Sequence, residues 1–155
     1  MKKQCKRKHY KLVNPIAYAI AGAIPPSGDK LKTLQIIELS AIESFRTGIA
    51  TVNDWSKVVA MMNLCENMAT HGIGPEAMPI CEQAHQQLIT AAKRYETTGK
   101  MGITGPGLQC LRDLYEFHDL QRTSVATSVY EKHIQDTINR VKSKAPEVVD
   151  MLEIA

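Results

Sequence analysis

Apolar residues in this chain recur at three- and four-residue spacing almost from end to end, and nowhere do they alternate over the length of a strand. Leu31, Leu34, Ile37, Ala41 and Phe45 form one such stripe, with Ile36 beside it. Trp55, Val58, Val59, Met62, Cys65 and Ala69 form a second, and Ile80, Ala84, Leu88, Ala91 and Tyr95 a third. A period near 3.6 puts one face of a helix on a core, whereas a half-buried strand needs a period of two. The pattern predicts an all-α fold. A chain of 155 residues, 44% hydrophobic and 23% charged, suits one compact domain that needs no disulfide or metal to hold it.

Helix ends are marked by punctuation. Asn14 and Pro15 cap and start a short apolar helix over about residues 15–24, which stops at Pro25 and Pro26. Asp29 is placed to cap a second helix that closes at Gly48. Thr51 and Asp54 have the spacing of a capping box, opening a third helix over about 52–71 that ends at Gly72. Gly74 and Pro75 open a fourth that runs to Gly99, with Pro79 kinking or delaying its start. Thr104 caps a last, long C-terminal helix whose stripe of Leu108, Leu111, Tyr115, His118, Val125, Val129, Ile138 and Val141 persists to about Lys144. At 1.5 Å per residue a rod of about 39 residues would reach about 58 Å, so a break between Gln121 and Thr127, where Thr and Ser cluster, is the alternative. The expectation is a helical bundle of about five helices over 14–145, preceded by a tail over 1–13. Pro146 starts a short segment over 146–155, whose Val149, Leu152 and Ile154 need a surface to cover them.

Charge is unevenly spread. The net charge of +3 conceals Lys2, Lys3, Lys6, Arg7, Lys8 and Lys11, with no acid before Asp29. Residues 12–155 hold 13 basic against 16 acidic side chains. A run of like charge repels itself and buries nothing until something neutralises it, as nucleic-acid arms do. No apolar run approaches the roughly 18 residues of a membrane span. The first residues share only positive charge with a secretory signal, because Asn14 and Pro15 interrupt the apolar stretch. A cytoplasmic protein with no membrane contact is the expectation.

Several residues resemble those of small helical proteins of prophages and integrative mobile elements, some of them labelled Fis-family regulators. The resemblance lies in Asn14-Pro15-Ile16, Asp54-Trp55, Asn63-Leu64-Cys65-Glu66, His71-Gly72-Ile73-Gly74, Thr104-Gly105-Pro106, Leu108-Gln109 and His118-Asp119. It implies an accessory or regulatory protein of a phage or mobile element. Met68, Gly72 and Ile73 also have the spacing of a helix-turn-helix corner, but residues 75–92 carry Glu76, Glu82 and no Lys or Arg. A helix lying among phosphates normally carries basic and amide groups, so this one is expected to be an ordinary corner.

Little in the sequence points to catalysis. Cys5, Cys65, Cys81 and Cys110 form no paired motif, and the last three sit on or near apolar stripes as reduced thiols. Cys81 and His85 make at most half a metal site. Glu116, His118 and Asp119 could serve acid–base chemistry only if neighbouring residues shared a face. Trp55, Met61, Met62 and Met68 read as core or interface residues. The loop 99–107 is a candidate anion site, through Lys100, Gly102, Thr104 and Gly105 at a helix N-terminus, although Pro106 removes one donor. No enzyme activity, metal or cofactor is expected. The leading expectation is nucleic-acid binding through sequence-independent phosphate contacts of the basic arm. The alternative is a protein-binding inhibitor of a host defence or replication complex, acting through an acidic helical surface. A homo-oligomer, held through the last helix and the 146–155 segment, is compatible with either.

Overall fold

A computed structural model of the chain describes residues 22–143, and these are helical with no strand among them. Five helices are described: α1 (Gly28–Thr47), α2 (Val52–Thr70), α3 (Met78–Thr98), α4 (Gly105–Thr123) and α5 (Thr127–Lys142). Residues 22 and 23 are also helical; the rest of the helix expected at 15–24, the basic tail and the 146–155 segment lie outside the described residues.

The ends of these helices follow from local chemistry. The Thr51 hydroxyl accepts the Asp54 amide while the Asp54 carboxylate accepts the Thr51 amide, so the capping box forms as the spacing predicts. At the other end of α2, Gly72 takes φ 84°, and the amides of Gly72 and Ile73 reach back to the carbonyls of Ala69 and Met68. These two bonds satisfy carbonyls that the helix leaves open, and only glycine adopts that backbone without strain. Thr104 caps α4 by accepting the Gly107 amide at 3.1 Å. A turn of 3-10 helix at Pro75–Ala77 precedes α3, so Pro79 falls in its first turn, where its missing N–H leaves no bond unmade.

Two boundaries differ from expectation. Helix α1 begins at Gly28 with Ser27 at its N-cap, which leaves Asp29 in the first turn, near the positive end of the helix dipole. The long C-terminal helix is two helices: the Ser124 amide bonds back to Leu120 and Gln121, and Ala126 takes an extended backbone before α5 starts. The Ser124 hydroxyl also bonds the Gln121 carbonyl, competing with the helix ladder in the stretch where Thr and Ser cluster.

Helix α2 is central. Helices α1, α3, α4 and α5 all pack on it, and its Trp55, Val58, Met62, Cys65 and Met68 are essentially inaccessible to solvent. The Trp55 indole donates to the Leu88 carbonyl at 2.9 Å, which fixes its ring between α2 and α3. Trp55 and the methionines Met61, Met62 and Met68 are therefore core residues. Helix α5 packs chiefly on α2 and leaves α1 largely uncontacted, although α1 lies against the same helix. That leaves a gap between α1 and α5.

Candidate functional site

The polar groups of this protein converge inside it. Helices α1 and α4 each place a charged residue on their apolar stripe: Glu38 follows Leu34 and precedes Ala41, and Arg122 follows Leu114 and His118 at the same helical spacing. The Arg122 side chain is wholly buried and faces the Glu38 carboxylate in a two-point contact, at 3.0 Å to Oε1 and 2.8 Å to Oε2. Its Nε donates to Asp119 at 2.8 Å, and Asp119 also accepts from Gln35 of α1 at 2.9 Å. The guanidinium lies 5.7 Å from the centre of the Tyr115 ring, within cation–π range. Burial pushes the Glu38 carboxyl up, against the opposing pull of Arg122. Burial alone would lower the Arg122 pKa, but its hydrogen bonds to Glu38 and Asp119 raise it, so the guanidinium stays charged. The rigid fork of Arg matches two carboxylates at once, which a lysine in its place would not do.

A neutral chain of hydrogen bonds adjoins this ion pair. Gln121 donates from Nε2 to the carbonyls of Cys65 and Ile73, so its Oε1 is left as an acceptor. His118 Nδ1 lies 3.1 Å from that oxygen and must carry the proton. The His118 Nε2 is then an acceptor for the Tyr130 hydroxyl at 3.3 Å. One tautomer follows from the amide orientation. Burial, reinforced by the Arg122 charge, pushes the His118 pKa down to about 4, so the ring is neutral near pH 7. Every nitrogen of His118 is thereby engaged, and none faces solvent. Glu116 is exposed and Asp119 bonds Arg122, so the three acid–base residues singled out in the sequence do not form one cluster.

A second polar group joins α2 to α5. Asn67 accepts from His133 Nδ1 at 2.7 Å and donates to Asp136 at 2.7 Å, while His71 Nδ1 donates to the Asn67 carbonyl at 2.7 Å. The rings of His71 and His133 meet edge to face with centroids 5.2 Å apart. Burial and the neighbouring His71 lower the His133 pKa, and the bond from Asn67 lowers that of Asp136.

The expected site residues fall into two sets. Lys2, Lys3, Lys6, Arg7, Lys8 and Lys11 lie outside the described residues. The others lie along the loop between α3 and α4: Lys100 is exposed and its amide bonds the Thr98 hydroxyl, and a side chain at Gly102 would meet the Arg94 guanidinium. The Thr104 hydroxyl caps Gly107 and donates to Gln87 at 3.5 Å. Of the first amides of α4, Pro106 has none and Gly107 is bound by the cap, so the Gly105 amide, Lys100 and Arg94 are what the loop offers an anion. Cys65, Cys81 and Cys110 are buried free thiols, and burial raises the pKa of Cys110. Among the described residues no three metal-ligating side chains cluster, so Cys81 and His85 gain no further ligand.

The ion pair escaped sequence reasoning, although a signal was present. Glu38 and Arg122 occupy apolar-stripe positions of two helices, and residues of opposite charge at such positions need each other once buried.

Along the gap between α1 and α5 runs a trough of about 510 Å³ with α2 as its floor. Leu34 and Ile37 of α1, Ala60 and Leu64 of α2, and Ile134 and Ile138 of α5 line it. Three of its polar members are bound elsewhere: Glu38 to Arg122, Tyr130 to His118 and the Thr137 hydroxyl to the His133 carbonyl. Lys57 and Lys142 stand at one end. No helix among the described residues is long and apolar enough to cross a membrane. Set against family models, curated proteins and solved structures, the chain matches none, and its function rests on its own residues.

Proposed function

We propose that this chain is a non-enzymatic accessory or regulatory protein of the mobile-element kind its sequence resembles, and that it binds nucleic acid through its basic N-terminal arm. One observation carries the reading, and it is the partition of charge. Six basic residues and no acid occupy the first 11 positions, whereas residues 22–143 hold 12 basic and 13 acidic side chains. The helical bundle is thus close to neutral and serves as the scaffold, while Lys2, Lys3, Lys6, Arg7, Lys8 and Lys11 supply phosphate contacts that carry no sequence information. Lys100 and the Gly105 amide, with Arg94 behind Gly102, are the place on the body where a further phosphate would find donors. The internal commitments of His118, Asp119 and Arg122 favour a structural role for the residues best suited to acid–base chemistry.

The test is fluorescence anisotropy of the full chain and of a variant lacking residues 1–11 on short DNA and RNA, single- and double-stranded. Binding by the full chain alone, with a log–log salt slope of about −3 to −5, supports the arm. Equal binding by both forms, or by neither, overturns it. A second reading, a protein-binding inhibitor of a host defence or replication complex, draws on the exposed side chains of Ile36, Leu39, Ile49 and Leu120. The near-balance of charge over residues 22–143 argues against an acidic surface as its means.

A further inference from the structure

We infer that the trough between α1 and α5 is a binding site for a long-chain aliphatic carboxylate, its hydrocarbon lying along the trough and its head at Lys57 and Lys142. This goes beyond the proposed function and holds whether or not the arm binds nucleic acid.

Lining and length point to the hydrocarbon. Leu34 and Ile37 on one wall, Ala60 and Leu64 on the floor, and Ile134 and Ile138 on the other wall make an apolar surface. Ile37 and Ile138 stay 40% and 41% exposed, so both walls offer apolar area still in contact with water. Apolar hollows of this kind mark ligand grooves, and about 510 Å³ falls within the range of small-molecule sites. Tyr130 to Lys142 spans about 18 Å of helix. The acyl chain of a membrane lipid fills one leaflet of a hydrocarbon core about 30 Å thick, so at about 15 Å it matches the trough. Glu38, Tyr130 and Thr137, already bound to Arg122, His118 and the His133 carbonyl, bring no unmet polar demand into the apolar middle.

Charge points to the head. His133 of α5 meets Asn67 and His71 of α2, and from that level Lys57 lies ten residues back along α2 and Lys142 nine residues on along α5. Both line the trough, so the two helices run antiparallel and bring their ammonium groups to the same end. Lys57 reaches Asp54 only at 4.0 Å, while the other oxygen of Asp54 is engaged by the Thr51 amide. Lys142 is exposed and takes part in no ion pair among the described residues. Two cations at the end of an apolar trough complement a molecule with an anionic head and a hydrocarbon chain, and repel one with a cationic head. At that end a carboxylate keeps its outer side in water, so its charge need not be buried.

Calorimetric titration of the full chain with sodium octanoate, decanoate and dodecanoate, each below its micelle-forming concentration, tests this. Saturable one-to-one binding is expected, tightening by about fivefold or more at each step of two methylenes as more hydrocarbon is buried. Lys57→Gln combined with Lys142→Gln should weaken decanoate by about fivefold and leave 1-decanol, its uncharged counterpart, unaffected. Ala60→Phe sets a ring into the floor from an exposed position of α2 and should abolish binding of both. The lysine substitutions, at side chains that are not buried, keep the test sound if Ala60→Phe unfolds. No saturable binding by the full chain overturns the inference, as does affinity indifferent to chain length or binding that survives Ala60→Phe in a folded protein. If the lysine variant binds decanoate as tightly as the unaltered protein does, or loses decanol equally, the head is not held at Lys57 and Lys142 and the inference fails. A dimer in sedimentation that Ala60→Phe dissociates would assign the trough to a second copy, which equally refutes the ligand named here.

Discussion

Removing the Arg122 guanidinium is the sharpest perturbation of the interior. Arg122→Met keeps the length of the apolar stem but withdraws one hydrogen bond from Glu38, one from Asp119, and the second charge contact to Glu38. Asp119 is 29% exposed at its side chain and keeps its bond from Gln35, so water and an amide absorb much of its loss. Glu38 is 7% exposed and has no such recourse. Breaking a buried pair from one side costs about 3–5 kcal/mol, a large share of the 5–15 kcal/mol that ordinarily holds a domain together. Replacing both partners, in Glu38→Met with Arg122→Met, removes the stranded carboxylate and should recover most of that cost.

The pH dependence gives a second handle on the same group. Without Arg122 the Glu38 carboxyl keeps only the upward pushes of burial and of the Asp119 charge, so its folded pKa lies above its unfolded value. A raised folded pKa favours the folded state below the unfolded pKa and loses that advantage as pH rises through the folded one. The deficit of the single variant should therefore be smallest near pH 4 and grow toward pH 7. Trp55, the only tryptophan, is buried and reports unfolding directly in a urea titration by fluorescence. If Arg122→Met loses less than about 1 kcal/mol, or if the double variant is no more stable than the single one, the buried pair is not what joins α1 to α4.

Other expectations follow from the same geometry. His118 has a folded pKa depressed from 6.5 to about 4, so its contribution is present above pH 6.5 and is lost as pH falls toward 4, by about 3 kcal/mol in all. His118→Gln should flatten that part of a stability-against-pH curve, and an unchanged slope would show that the ring titrates normally. Thr51→Ala removes one half of the capping box and should cost about 1 kcal/mol by urea denaturation. Gly107→Ala places a methyl group 2.5 Å from Gln87 Oε1 and 2.7 Å from Ile103 Cγ1, so a loss of about 1–3 kcal/mol is expected, read as a lowered Tm. A Tm equal to that of the unaltered protein would mean that the loop before α4 yields freely.

Much of the helical frame was legible before any coordinates, because helix ends are decided by neighbours in sequence. Thr51 with Asp54, Thr104 with Gly107, and Gly48, Gly72 and Gly99 at helix ends all act within a few residues of themselves. The cap falls at Ser27, two positions before the expected Asp29, an offset of the same short range. The break after Thr123 was visible as a cluster of hydroxyl residues, but its outcome was not. Whether a helix continues through such a stretch depends on what its far half can pack against, and α5 finds α2 only after the chain has turned.

The candidate sites divide along a similar line. Basic residues crowded at one end of a sequence are obvious in the sequence itself, because electrostatic repulsion between neighbours needs no fold. The Glu38–Arg122 pair, 84 positions apart, and the Asn67–His133 bond, 66 apart, exist only because α1, α4 and α5 are set against one another and α2. The trough is a further step removed from sequence, since it is the space two helices leave when both pack on a third. By itself the sequence determined that this chain is helical, where most of its helices begin and end, and where its positive charge is concentrated, all properties set by short-range chemistry. The tertiary structure alone decided which polar groups are buried together and which apolar wall is left open, because burial belongs to the packing of whole helices and not to any stretch of residues.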